Sequence, residues 1–94
     1  MDLYFNHDMK HNVVSVERTD VMVQYVFRFE NDYGASLIKR PGSYGYRKDL
    51  WELAVLYFDG DEREITYDTE ITDDVLGYLT DEEVIMYLEQ IRDL

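Results

Sequence analysis

The pattern of apolar positions is densest in residues 50–58, where only Glu52 is polar. This run of nine residues contains aromatic and β-branched side chains and is followed by Asp59 and Gly60, which favours a strand over a helix. Both alternating sets of side chains are apolar, so we expect a central strand covered on at least part of both faces. The sets are Trp51, Leu53, Val55 and Tyr57 on one face, and Leu50, Ala54, Leu56 and Phe58 on the other.

Two earlier segments also have the composition of strands. Val13, Val14 and Val16 predict a strand that reaches about Glu17, with a turn at residues 18–20. In residues 21–29 every second side chain is apolar, which is the period of a half-buried antiparallel strand. Residues 1–12 show weak periodicity, and their structure is left open.

A hairpin and a long loop separate these strands from the central one. Residues 31–34 supply turn chemistry, and Gly34 is available for a positive φ angle. Residues 35–38 then return as the next strand. Residues 39–48 contain the single proline and two of the five glycines, so we expect a loop there, longer than most connections between strands.

The chain after the central strand predicts one more strand and two helices. Residues 63–67 form the strand, with Ile65 and Tyr67 directed inward. Thr72 is an expected N-cap for a short helix that Gly77 stops. Thr80 begins a capping box, and the helix that follows carries an apolar stripe that includes Val84, Leu88 and Ile91.

These elements predict a single α+β domain over residues 1–94. Its antiparallel sheet has four or five meandering strands, packed with two C-terminal helices of which one is short. A chain of this length buries roughly 60 to 65 % of its unfolded surface, enough for one modest core. The chain has no cysteine, its N-terminus does not resemble a signal peptide, and it lacks a membrane-length apolar run. We therefore expect a cytoplasmic protein with no membrane partner.

The charge of the chain is divided unequally between its halves. Residues 1–48 carry six acidic and seven basic residues, for a net charge of +1. Residues 49–94 carry fifteen acidic residues and only Arg63 and Arg92 as bases, for a net charge of −13. A field of this sign repels nucleic acid and lipid headgroups but attracts basic proteins.

Four segments resemble a known group of proteins. They are residues 30–38, 41–45, 50–56 and 71–84, and they are similar to small uncharacterised proteins of phages and mobile elements in Gram-positive bacteria. The resemblance covers about residues 28–90. It implies a phage or mobile-element setting, in which the host cytoplasm is the compartment, and it implies no catalytic residues.

The residues that could carry chemistry do not form a patterned site. His7 and His11 have the spacing of two metal ligands on a helix, but no third ligand is patterned with them. Residues 59–62 lack the spacing of an EF-hand loop. The serines have no nucleophile-elbow context. We therefore expect no enzyme, no cofactor and no metal site.

The loop of residues 39–48 is a candidate secondary contact surface. Its bases and tyrosines could neutralise phosphates and stack on nucleobases. The alternative, which the adjoining negative charge favours, is that the tyrosines pack over the sheet while the bases pair with the protein's own carboxylates. We expect no direct binding of nucleic acid, although the loop remains a candidate protein contact. The residues are Lys39, Arg40, Tyr44, Tyr46, Arg47 and Lys48.

The acidic residues of the second half form the main candidate site. Those in helix first turns favour the helix dipole, but those of residues 59–70 crowd one short segment with only Arg63 among them. We hypothesise that they imitate nucleic acid and block a basic nucleic-acid-binding protein of the host, as an anti-CRISPR or other anti-defence inhibitor does. The alternatives are a simple role in solubility, or a structural or regulatory module that self-associates, as in a homodimer. The residues are Asp59, Asp61, Glu62, Glu64, Asp68, Glu70, Asp73, Asp74, Asp81, Glu82 and Glu83.

Overall fold

The computed structural model describes residues 7–94, except for the side chains of His7 and Asp8. A four-residue helix precedes the sheet, and a longer one follows it. The elements in chain order are α1 His7–Lys10, β1 Val13–Arg18, β2 Val23–Arg28, β3 Tyr33–Lys39, a 3-10 helix Tyr46–Lys48, β4 Trp51–Asp59, β5 Glu62–Ile65, β6 Leu76–Leu79 and α2 Asp81–Arg92.

The strands form one antiparallel sheet in the order β1-β2-β3-β4-β5, and β6 also pairs with β4. One edge of β4 pairs with β3 over most of its length. Its other edge pairs with β5 at residues 56–59 and with β6 near residues 51–53. The predicted α+β class and antiparallel sheet are confirmed, but the described residues form six strands rather than four or five. The sixth, β6, lies end to end with β5 along one edge of β4.

The central strand is covered on both faces, as its two apolar sets predict. On one face, Trp51, Leu53 and Val55 are buried in the main core together with the apolar stripe of α2. On the other face, Leu56 and Phe58 are buried in a small cluster with Val26. The long apolar run therefore supplies side chains to both clusters.

The C-terminal helix begins where its local signals predict. The Thr80 side chain accepts a hydrogen bond from the Glu83 N–H, and the Glu83 carboxylate accepts one from the Thr80 N–H, which completes the capping box. Val84, Leu88 and Ile91 are fully buried. Asn31, in the β2–β3 turn, holds the other end of α2 by donating to the backbone carbonyls of Ile91, Arg92 and Leu94.

The predicted short helix at Thr72 is wrong. Residues 71–75 have no helical hydrogen bonds, and residues 76–79 form β6. The Thr72 hydroxyl accepts the Asp74 N–H and donates to the Asp74 carbonyl, a local turn that competes with a helix cap. A helix ended by Gly77 is too short to be stable alone, whereas the strand gives hydrogen-bond partners to the exposed edge of β4.

Three details of the strands also differ from expectation. Gly34 lies inside β3 rather than in the turn, and the positive φ angle belongs to Asp32. Glycine is needed at position 34 because a Cβ atom on that residue would lie 1.8 Å from the Phe27 carbonyl oxygen. Ile65 and Tyr67 are exposed rather than directed inward. Ile65 pairs with Leu56 on the face of the sheet opposite α2, where the core is only a small cluster of three buried residues.

Candidate functional site

The acidic edge is the side of the sheet traced by residues 59–83, which include all eleven candidate acids. Both β5 and β6 run antiparallel to β4, so the chain follows this edge from the Asp59–Glu62 pair to the Trp51–Leu79 pair. Trp51 to Asp59 spans eight residue-to-residue steps of β4, so this edge is about 26 Å long at roughly 3.3 Å per step. The tertiary structure therefore places the acids in chain order along one side of the sheet, on the β4–β5 hairpin, the connection to β6 and the first turn of α2.

The first four acids lie on the β4–β5 hairpin and are all exposed. The strand register places Asp59 opposite Glu62, and Glu64 opposite Tyr57. Directly opposed residues of an antiparallel pair share a face, and like charges in that position repel. The hairpin therefore keeps two carboxylates close together where an opposite charge would stabilise the folded protein.

The next four acids follow the connection between β5 and β6. Asp68, Glu70, Asp73 and Asp74 are exposed. Asp74 is partly engaged within the chain, because its carboxylate accepts the Val75 N–H at 2.7 Å. The connection adds negative charge to the middle of the edge.

The last three acids, in the first turn of α2, have different roles. Asp81 is half-buried, and its Oδ1 accepts the indole N–H of Trp51 at 2.7 Å. Glu83 accepts the backbone N–H and the hydroxyl of Thr80 in the capping box. Glu82 is exposed and has no such partner among the described residues. Two of these three candidate contact residues thus already stabilise the fold.

The negative charge of the edge is not neutralised within the described chain. The ion pairs described there join Arg28 to Asp32, Lys39 to Asp49 and Arg92 to Asp93, and none includes a candidate acid. Eleven acids and Arg63 give one net charge per ~2.6 Å of edge. Duplex DNA has one per ~1.7 Å and a single strand one per ~3.4 Å, so the densities are comparable.

The basic loop, residues 39–48, lies at the start of β4 and contains residues of two kinds. Lys39 is only 5 % exposed; its Nζ lies 4.3 Å from the centre of the Trp51 ring and 3.2 Å from Asp49 Oδ1. Arg40, Arg47 and Lys48 are exposed and have no ion-pair partner in the part of the chain that the structure describes.

The expectation that this loop is neutralised and packed on the sheet is therefore wrong for most of its residues. Only Lys39 among the bases follows it. Tyr44 is 57 % exposed and Tyr46 is half-buried. The physical reason is that the nearby acids are engaged elsewhere: Asp49 pairs with Lys39, Glu52 accepts the Tyr44 N–H, and Asp81 accepts the Trp51 indole N–H. The hairpin acids lie at the opposite end of β4.

Sequence reasoning missed Tyr78, which lines a cleft of about 490 Å³ together with the basic loop. Its φ angle of 57° is unusual for a tyrosine, and its side chain is 56 % exposed. No pattern in the sequence brings residue 78 to the loop. The hydrogen bond from the Tyr78 N–H to the Tyr44 carbonyl shows that the two segments are packed together.

The described residues contain no group of three or more metal-ligating side chains and no helix long and apolar enough to cross a membrane. The side chain of His7, one of two possible metal ligands, lies outside the described residues, while His11 lies in the turn after α1. A scan against family models, a search of the curated proteins and a search of the solved structures each gave no match.

Proposed function

We propose that this protein binds a basic nucleic-acid-binding protein through its acidic edge and blocks the nucleic-acid groove of that protein. The observation that carries the proposal is the series of acids, without ion pairs among the described residues, on the β4–β5 hairpin, the connection to β6 and the first turn of α2. A groove lined by lysine and arginine recognises closely spaced negative charge, and the edge offers such charge on a folded protein.

The position of the acids on a sheet edge favours this function over a role in solubility alone. Solubility requires only that charges be distributed over the surface. The described structure instead concentrates like charges on one edge, where Asp59 opposes Glu62 across two strands. Such repulsion destabilises the free protein and is relieved when a basic partner binds.

A phage or mobile-element origin indicates which host process this activity would inhibit. The sequence resemblance supports that setting, in which an inhibitor of a host defence protein is expected. The concrete proposal is an anti-CRISPR or other anti-defence inhibitor acting in the host cytoplasm. Competition with DNA or RNA is its mechanism.

The test compares two variants with the same net charge. The edge variant carries Asp61→Asn, Glu62→Gln, Glu64→Gln and Asp68→Asn, and the control carries Glu17→Gln, Asp20→Asn, Glu30→Gln and Glu89→Gln. All eight residues are exposed. The immobilised proteins are incubated with host lysate at about 50 mM and 500 mM salt, and each captured protein is assayed for displacement of labelled DNA or RNA.

The proposal predicts capture of a nucleic-acid-binding protein at low salt by wild type and by the control variant. Capture by the edge variant should fall about tenfold or more, and salt should weaken every complex because exposed charges are screened. The proposal fails if both variants capture the same protein equally, if capture ignores salt, or if bound nucleic acid is not displaced. The anti-CRISPR form is wrong if a tenfold excess leaves DNA cleavage by RNA-guided nucleases of the host unchanged.

Self-association is a second candidate, and a specific observation favours it. Arg40, Arg47 and Lys48 are exposed at one end of the sheet, whereas the hairpin acids are exposed at the other. The loop of one molecule is therefore complementary in charge to the acidic edge of another. Light scattering at high protein concentration and low salt tests this, and a monomer under those conditions excludes it.

A further inference from the structure

The cleft beside the basic loop combines aromatic and cationic side chains. It is lined by residues 41–43 and 45, by Tyr46 and Tyr78, and by Arg47 and Lys48. Its volume of about 490 Å³ falls within the roughly 300–1,000 Å³ of small-molecule sites. None of these residues is one of the candidate acids, so their presence calls for a separate explanation.

The frame of the cleft is held by hydrogen bonds within the loop. Ser43 Oγ accepts the Arg40 N–H and donates to the Arg40 carbonyl. The Gly45 carbonyl accepts the N–H groups of Lys48 and Leu50, both at 3.0 Å. Tyr44 is held by its N–H, which donates to Glu52 Oε1 at 3.0 Å. The cleft is therefore formed before any ligand arrives, which lowers the entropy lost on binding.

Gly45 allows this frame to lie against β6. Its φ angle is 95°, and a Cβ atom there would lie 3.0 Å from both Leu50 Cβ and Tyr78 Cα. Gly77 has a similar role, because its Cβ would lie 2.6 Å from Tyr44 Cβ. Close backbone contact at these two glycines is what brings Tyr78 to the wall of the cleft.

Tyr78 has a positive φ angle that burial of its side chain does not offset. A left-handed conformation costs a non-glycine residue stability, and more than half of this side chain remains in solvent. Strained backbone of this kind is concentrated at ligand-binding positions. Here it leaves an aromatic ring exposed next to Arg47 and Lys48.

We propose that this cleft binds a nucleotide, with the base stacked on Tyr78 and the phosphate held by Arg47 and Lys48. The aromatic ring and the paired cations match the two parts of a nucleotide, and a bare phosphate would use only the cations. The exposed hairpin acids lie at the far end of β4, beyond the roughly 8 Å over which charge acts at physiological salt. The acids nearer the loop, Asp49, Glu52 and Asp81, are each engaged by a hydrogen bond within the chain. The inference is independent of the function proposed for the acidic edge.

The test is a titration followed by two-dimensional ¹H–¹⁵N NMR on the full chain. The probes are adenosine monophosphate, adenosine, inorganic phosphate and a ten-residue oligothymidylate. We expect the monophosphate to shift the amide signals of residues 42–48 and 77–79 in a saturable way. Adenosine and phosphate should each bind the same amides at least tenfold more weakly.

Two variants separate the contributions, and each has a matched control. Tyr78→Gly removes the ring at a position whose φ angle glycine tolerates, so the fold is retained and the spectrum itself verifies this. It should weaken monophosphate binding about fivefold or more, the low end for loss of a stacking ring. Arg47→Ala with Lys48→Ala should weaken it at least as much. Tyr67→Ala and Arg63→Ala, exposed residues of the acidic edge, should leave it unchanged.

Several outcomes would overturn the proposal. They are the absence of saturable shifts at millimolar monophosphate, an equal loss of binding in the control variants, and binding of phosphate as tight as that of the monophosphate. The oligothymidylate distinguishes the two sources of the same ligand chemistry. Tighter binding of the oligomer through the same amides assigns the site to the end of a strand, and weaker binding assigns it to a free nucleotide.

Discussion

Replacing Trp51 with phenylalanine tests how the main core is joined to the start of α2. The Trp51 side chain is fully buried, its ring lies 6.0 Å from that of Tyr25, and its indole N–H donates to Asp81 at 2.7 Å. Phenylalanine keeps an aromatic ring but removes the hydrogen bond and leaves a small cavity.

The expected destabilisation follows from these contacts. A hydrogen bond to a charged group contributes about 1.5–3 kcal/mol, and the smaller ring adds roughly 1 kcal/mol in lost packing. The Trp51→Phe variant should therefore be about 2–4 kcal/mol less stable. A chain of 94 residues has a total stability of about 5–14 kcal/mol, so this variant should still fold. Trp51→Ala, at about 3–5 kcal/mol, comes closer to complete unfolding.

The measurement is urea unfolding followed by far-ultraviolet circular dichroism, because the variant lacks the only tryptophan. With an m-value of about 1 kcal/mol/M, the midpoint should fall by about 2 M or more. A double-mutant cycle with Asp81→Ala should give a coupling of about 1–2 kcal/mol. Glu82→Ala, in the same helix turn but without the indole contact, should show no coupling to Trp51.

A fall in the midpoint of less than about 0.5 M for Trp51→Phe would contradict these assigned contacts. They would also be contradicted if the effects of Trp51→Phe and Asp81→Ala add without coupling. In that case the hydrogen bond would contribute nothing to stability, and Asp81 would be as available to a partner as Glu82.

Three further predictions concern the backbone of the fold, each measured by urea unfolding. Gly34→Ala should lower stability by more than about 3 kcal/mol, because its Cβ would overlap the Phe27 carbonyl. The control Gly60→Ala, whose Cβ meets nothing within 4 Å, should cost only about 1–2 kcal/mol for its positive φ angle. Equal effects of the two variants would contradict the assigned close contact. Thr80→Ala should lower stability by about 1 kcal/mol by removing the N-cap, whereas Thr80→Ser should keep most of the wild-type stability. If Thr80→Ser is as unstable as Thr80→Ala, the loss of stability does not come from the cap. Asn31→Ala should cost about 1–2 kcal/mol, because it leaves the carbonyls at the end of α2 without their donor. Asn31→Asp should destabilise at least as much, because its charge opposes the helix dipole, and an Asn31→Asp variant of unchanged stability would contradict this role.

The short-range signals of the sequence predicted the elements that depend on neighbouring residues. Alternation identified β2, and the capping box with its apolar stripe identified α2. These predictions succeed because a cap, or a period of two or 3.6, acts over a few residues. The predicted helix at Thr72 was wrong because a long-range contact decided the structure. Residues 76–79 pair with the free edge of β4, which is distant in sequence.

The candidate sites show the same division. The sequence predicted an acidic second half and a basic loop, but it did not distinguish Asp81 and Glu83, which are engaged in the fold, from Glu82, which is exposed. Lys39 likewise reads as a contact residue and is buried against Trp51. Whether a charged side chain is available depends on which elements pack around it, and those elements are distant in the chain.

The α+β class, the central strand, the C-terminal helix and the unequal division of charge are all predictable from the sequence. These follow from local patterning and composition. The pairing of β5 and β6 with one edge of β4, the placement of the acids on that side of the sheet and the position of Tyr78 beside the basic loop could not be predicted from local patterns. The physical reason is that strand pairing joins residues far apart in sequence, and their relative positions are set by the register of β4 with its neighbours.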